Sequence, residues 1–194
     1  MKNHSIKQIC ITALLAACCY IGFLYLKINI PVGNMMTAIH FGNAFCVLAA
    51  LLLGGVSGGV AGAIGMGLAD LMDPLYVSSF PKTFLLKFII GLVTGFVAHR
   101  IIHLQEKHES KQLLKGAIIA SSCGMLCNVI LEPIVSFFYN NYILGVPMST
   151  AKLFAAFTAG TTLFNAITSV IIASFLYQVL SSVIHVQTFK TKHK

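Results

Sequence analysis

The chain has no tryptophan and only five acidic residues in 194 positions. Charged residues of both signs make up 9% of it, against 57% hydrophobic. A soluble domain of this length carries about 25% charged residues, so that class is excluded. No G-x-x-x-x-G-K-[ST] stretch occurs, so the chain does not hydrolyse ATP on its own. No D-D-x-x-D cluster occurs either, which argues against a metal-dependent enzyme acting on lipid or prenyl groups. Serines are scattered and unflanked by the turn motifs of a nucleophile. The net charge of +8 is not interleaved with aromatics, so it does not read as a nucleic-acid surface. Six cysteines, at 10, 18, 19, 46, 123 and 127, all lie in apolar stretches. Cys123 and Cys127 have helical spacing but no nearby histidine, so they read as small packing residues rather than zinc ligands. No metal and no cofactor are expected.

What is present is nearly continuous apolar sequence, with a mean hydropathy of +0.87. Spans of about 20 residues cross a bilayer, and six can be drawn at about 8–26, 39–54, 58–72, 83–103, 114–138 and 152–184. Leu15-Ala-Ala-Cys18, following Lys2 and Lys7, imitates a lipoprotein signal. The apolar run continues through Leu26, however, so an uncleaved first span is expected. The glycine-rich stretch Gly54–Gly67 lies within apolar sequence and carries no lysine, so it reads as close helix packing rather than a phosphate loop. The expectation is an all-α integral membrane protein with six transmembrane helices, a single domain over 1–194 in a lipid bilayer. With the N-terminus inside, nine basic residues are cytoplasmic (Lys2, Lys7, Arg100, Lys107, Lys111, Lys115, Lys190, Lys192, Lys194). Four face outward (Lys27, Lys82, Lys87, Lys152). That bias places both termini in the cytoplasm. Loops are expected at about 27–38, 73–82 and 139–151 on the outer side.

Threaded this way, Asp70, Asp73, Lys82, Lys87 and Glu132 gather near the outer side. Ionisable groups are costly near a bilayer, so they point to a ligand or ion site. Candidate substrate-binding residues are Asn34 in the first outer loop, His40 and Asn43 at the top of the second span, and Asp70 ending the third. Lys87 follows in the first turns of the fourth, Asn128 and Glu132 at i, i+4 on the fifth, and Asn165 in the sixth. Bland roles compete. Asp70 and Lys87 can simply pair, His40 can sit at the interface with its tip in water, and Asn128 can clip two helices. Glu132 precedes Pro133, which frees a carbonyl in the preceding turn, and such bent helices line cavities.

Ala13 and Ala17, four apart on the inner half of the first span, form a small-residue ridge. That ridge, with six spans and an outward polar pocket, resembles the S component of an energy-coupling factor (ECF) vitamin transporter. The stretch His40-Phe-Gly-Asn43, Leu48–Gly54, Gly67-Leu-Ala-Asp70, Phe80-Pro-Lys-Thr-Phe84 and Lys87 is similar to the riboflavin-type group of S components. The resemblance covers most of the chain and is strongest over 36–95. It implies a binding subunit in a bacterial plasma membrane, partnered by a transmembrane coupling protein and two cytoplasmic ATPases. Ala13 and Ala17 would then contact the coupling protein. A pocket with both acid and base groups suits a small polar heteroaromatic vitamin or precursor. A B6 form or hydroxymethylpyrimidine is expected, and riboflavin less so because the aromatic supply is mostly phenylalanine. The alternative is a self-contained proton-coupled carrier in which Glu132 and Asp70 relay the proton.

Overall fold

The computed structural model describes the backbone of residues 2–107 and 109–191, and the side chains of 6–107 and 109–181. The basic side chains of Lys2, Lys190, Lys192 and Lys194, which enter the charge bias above, lie outside the described residues. The described chain forms six α-helices and one β-hairpin in the order α1 (Lys2–Leu24), β1 (Lys27–Val32), β2 (Met35–His40), α2 (Gly42–Leu53), α3 (Gly55–Met72), α4 (Phe80–Phe96), α5 (Ser110–Phe138) and α6 (Met148–Thr191).

Five helical segments are long and apolar enough to cross a bilayer: Ile6–Leu24, Gly55–Met72, Val77–Ile101, Ser110–Ile143 and Met148–Ser181. The second span expected from the sequence is shorter than the rest. Its first residues are spent on β2, and α2 keeps twelve residues, about 18 Å of helix. Nine of those twelve are buried, so α2 is a core helix wrapped by the others rather than a lipid-facing one. Its end is set by Gly54, whose positive φ of 91° turns the chain directly into α3.

The outer loop expected at about 27–38 is a β-hairpin set against an otherwise all-α bundle. Lys27 pairs with His40 and Val32 with Met35, leaving Gly33-Asn34 as a two-residue connection. Gly33 has φ +60° while Asn34 does not enter positive φ, the pattern of a type II′ turn, which matches strand twist. Pro31 fits because a two-stranded ribbon leaves one edge of each strand without a ladder partner.

Packing is closest between α3 and α4. A side chain at Gly91 would overlap the backbone of Gly59, and one at Gly95 that of Gly55. In lipid, helices have little hydrophobic drive to associate, so such backbone contact supplies the attraction. Gly58 meets Ala50 of α2 in the same manner. The helix α4 ends in a π-turn (Val97–Ile101), where the His99 ring bonds to the Ala50 carbonyl at 3.2 Å and to Gln105 at 2.9 Å.

Candidate functional site

The hairpin end of the bundle encloses a cavity of about 60 Å³. Its walls come from β2 (Thr37, His40), α2 (Asn43), α3 (Asp70), α4 (Lys82, Thr83, Lys87), α5 (Glu132) and α6 (Phe154, Thr158, Thr161, Thr162, Asn165), with Phe23 and Tyr76 at the rim. Six sequence-predicted residues therefore meet there: His40, Asn43, Asp70, Lys87, Glu132 and Asn165. Two do not line it. Asn34 is exposed at the hairpin tip, and Asn128 is buried below the cavity.

Three charges form its floor. Glu132 accepts from Lys82 at 3.1 Å through Oε1 and from Lys87 at 3.4 Å through Oε2. Lys82 also donates to Ser136 at 2.8 Å and lies 5.9 Å from the Phe154 ring centre. All three ionic residues are buried. One carboxylate thus holds two ammonium groups, an arrangement that rigidifies the site rather than leaving Glu132 free for a ligand. The pairing of Asp70 with Lys87 considered from the sequence is not made. Asp70 is fully buried, with Thr83 nearest as a donor, yet neither carboxylate oxygen has a hydrogen bond of normal geometry.

Asp70, both polar side-chain atoms of Asn43, Nδ1 of His40 and Oγ1 of Thr158 are the uncommitted polar groups facing the cavity among the described residues. Buried polar atoms are normally bonded, so this set marks where a ligand finds its partners. The His40 ring packs edge-on to Phe23, 4.6 Å between centroids. Burial holds its imidazole down to about 3, helped by Lys87 and Lys27 and opposed by Glu132. His40 is therefore neutral, with one nitrogen able to accept or donate according to tautomer.

Asn165 has a different task. Its Nδ2 donates to the Ala38 carbonyl and its Oδ1 accepts from the His40 N–H, both at 3.0 Å. The amide thereby takes the place of a neighbouring strand on the open edge of β2. Thr161 of α6 bonds Thr37 at 2.9 Å beside it. At the other strand Lys27 pairs with Asp73, and Asn29 accepts from Tyr76 at 2.9 Å. Burial pushes the Asp73 carboxyl up, but the bonds from Lys27 and the Leu75 N–H outweigh it and hold the group below its usual range.

Sequence reasoning placed Lys82 among the outer-side charges without counting it as a binding residue, and it missed the threonines of α6. Thr158, Thr161, Thr162 and Asn165 stand at i, i+3, i+4 and i+7, a polar stripe on one helix face that was legible as a pattern. Ala13 and Ala17 are exposed on α1 and line an open, mostly apolar groove of about 820 Å³ between α1 and α3, with Val60, Ile64 and Leu68 opposite.

The fold and cavity define a multi-pass membrane protein with a small polar cavity near one end of its bundle. The family model for the ECF-type riboflavin transporter S component matches residues 3–182, and the chain belongs to that family. Among solved structures, the chain is similar to one described as the S component of a bacterial ECF transporter. That match has 20% identity, covers 93% of this chain and 98% of that one, and has a TM-score of 0.58. It is also similar to an S component for biotin from an ECF-type ABC transporter, at 18% identity, 91% and 93% coverage and a TM-score of 0.61. At these identities the structures show the shared fold alone. No curated protein sequence matches the chain.

The protein is a transport subunit and not an enzyme, and its family implies coupling and ATPase partner subunits. The same match overturns the expectation of a B6 or hydroxymethylpyrimidine ligand and, with it, the self-contained proton carrier. The physical reason lies in the ionic floor. That expectation counted Glu132 as a ligand or relay group, whereas both its oxygens are committed to Lys82 and Lys87.

Proposed function

We propose that the chain captures riboflavin, or a flavin-like vitamin, at the hairpin end and delivers it to an ATPase-driven module in a bacterial plasma membrane. The family match over residues 3–182 carries this reading. The uncommitted cavity groups support it. Asp70 accepts from a ring N–H, Asn43 can donate and accept, and neutral His40 adds one further position, a set that fits an imide-bearing heterocycle. In this reading the hairpin end faces outward and both termini face the cytoplasm. All six helices, including short α2, lie in the bilayer as one domain. The groove at Ala13 and Ala17 receives a helix of the coupling protein, since small residues allow close backbone approach in lipid.

Flavin fluorescence, excited and emitted in the visible where side chains are silent, tests the substrate directly. The purified protein is titrated with riboflavin, then with biotin and pyridoxal as competitors. Saturable quenching at one equivalent, undisturbed by either competitor, is expected. Displacement by biotin or pyridoxal, or an absence of quenching, refutes the assignment.

A further inference from the structure

On the side of the ionic floor away from the hairpin, α4 and α5 bury three polar side chains to which no protein group bonds. These are Thr94 through Oγ1, Ser121 through Oγ, and Asn128 through both amide atoms. Thr94 and Ser121 are fully buried and Asn128 is 2% exposed. Ser121, Gly124 and Asn128 share one face of α5 by their i, i+3, i+7 spacing. Gly124 leaves room where the Thr94 hydroxyl sits, since a side chain at Gly124 would overlap that oxygen. The hydroxyl thus lies in a notch between Ser121 and Asn128, with successive positions about 5–6 Å apart. One turn beyond Asn128 stands Glu132 with its two lysines.

A serine or threonine in a helix can turn its hydroxyl onto a carbonyl of its own preceding turn. Asn128 has less recourse. Its amide offers two donors and an oxygen with two lone pairs, and a buried amide left dry is costly. The occupant must both donate and accept, because the notch presents both kinds of group. It must be small, because Thr94 itself packs against Gly124, where even a Cβ would overlap the hydroxyl. It is not a cation, because two ammonium groups share a single carboxylate one turn away.

We propose that the α4–α5 notch is a second binding site, selective for hydroxyl oxygen and adjoining the vitamin cavity. Two sources supply that chemistry. Water fills the site in the free protein, making about three hydrogen bonds per molecule. A hydroxyl-bearing tail of the bound vitamin reaches it by displacing that water. The second source rests on the riboflavin reading, and the first does not.

The test joins a crystal structure of the ligand-free full chain, grown in lipid at a resolution that shows waters, to binding of two flavins. Riboflavin carries a polyhydroxyl chain, and lumiflavin has the same ring with a methyl group in its place. Density about 2.7–3.2 Å from the Asn128 amide and Thr94 Oγ1 is expected in the free protein. If the tail enters, Asn128→Leu weakens riboflavin about tenfold, the worth of one hydrogen bond, and leaves lumiflavin unchanged. If water alone occupies the notch, the density is present and the two flavins respond alike. The near-isosteric Thr94→Val separates a loss of binding from a loss of folding. A dry notch with no selective effect on riboflavin overturns the site, as does a peak with the short, oxygen-rich coordination of a metal cation. Failure of both flavins to bind removes the riboflavin reading, while the density still decides the site.

Discussion

Replacing Glu132 by glutamine should destabilise the protein more than any other single change at the cavity. The substitution keeps shape and removes the one negative charge that holds Lys82 at 3.1 Å and Lys87 at 3.4 Å. Breaking a buried ion pair by deleting one partner costs about 3–5 kcal/mol, because the remaining charge is left uncompensated. Here two ammonium groups are stranded together, so the upper part of that range is expected. For a chain of this size about 1 kcal/mol moves the midpoint by roughly 2–4 °C, which gives a fall of roughly 10–20 °C. The assay is thermal unfolding in detergent followed by circular dichroism, with Lys82→Met and Lys87→Met made alone and together in both backgrounds. Removing all three charges should recover most of the loss, since apolar replacement of an entire buried ion cluster is close to neutral. A fall of only a degree or two for Glu132→Gln would refute the reasoning. It would mean that the lysines are solvated, as in a surface pair worth about 0–1 kcal/mol.

Gly91→Leu should separate α3 from α4, because its side chain meets the Gly59 backbone and cannot be absorbed by a rotamer change; a drop of about 1–3 kcal/mol or more in unfolding free energy checks it. Asn165→Ala should leave the His40 N–H and the Ala38 carbonyl without partners, so hydrogen exchange at the His40 amide should accelerate while amides of α1 remain protected. The unfolded chain protonates histidine near 6.5, whereas His40 in the fold resists down to about 3. The unfolded state therefore binds more protons over that window, and stability should fall as pH drops below 6.5. In the fold, the His40 ring signals should not titrate between about pH 5 and 8 by NMR, and a midpoint within that range would contradict the buried placement. Asp73 titrates the other way: its folded carboxyl lies below the ordinary value, so the Lys27 pair adds stability above that value and loses it as pH falls through the folded one. Protection factors of the hairpin strand amides should fall in acid, and Asp73→Asn should remove that step.

The spans read from the apolar pattern correspond to the helices where periodicity is long. The fifth, drawn at 114–138, is α5 at Ser110–Phe138. The hairpin was hidden because each strand has only six residues, and Pro31, Gly33 and Asn34 signal a turn more strongly than Ile28, Ile30 and Val32 signal a strand. Its second strand ends at His40, just before α2, so one missed ribbon also made the second span too long. At the site, chemistry by residue type was legible and partnership was not. Glu132 marks a polar pocket in any threading, but whether Lys82 or Asp70 lies opposite it depends on helix rotation, which composition does not encode. Asn165 shows the same limit. A lone asparagine in a membrane helix announces a hydrogen bond, and only the fold reveals that it is spent on the backbone of β2.

That asparagine also has a mechanical meaning. A two-stranded ribbon offers unpaired edges, and an unpaired edge invites another strand. Because the amide of Asn165 stands in for the missing strand, β2 is geared to α6 through a side chain instead of being tied to it by a loop. Turning α6 about its axis by one residue, about 100°, would unmesh both bonds at once. Hairpin and helix therefore travel together or disengage abruptly, in a single step rather than along a slope.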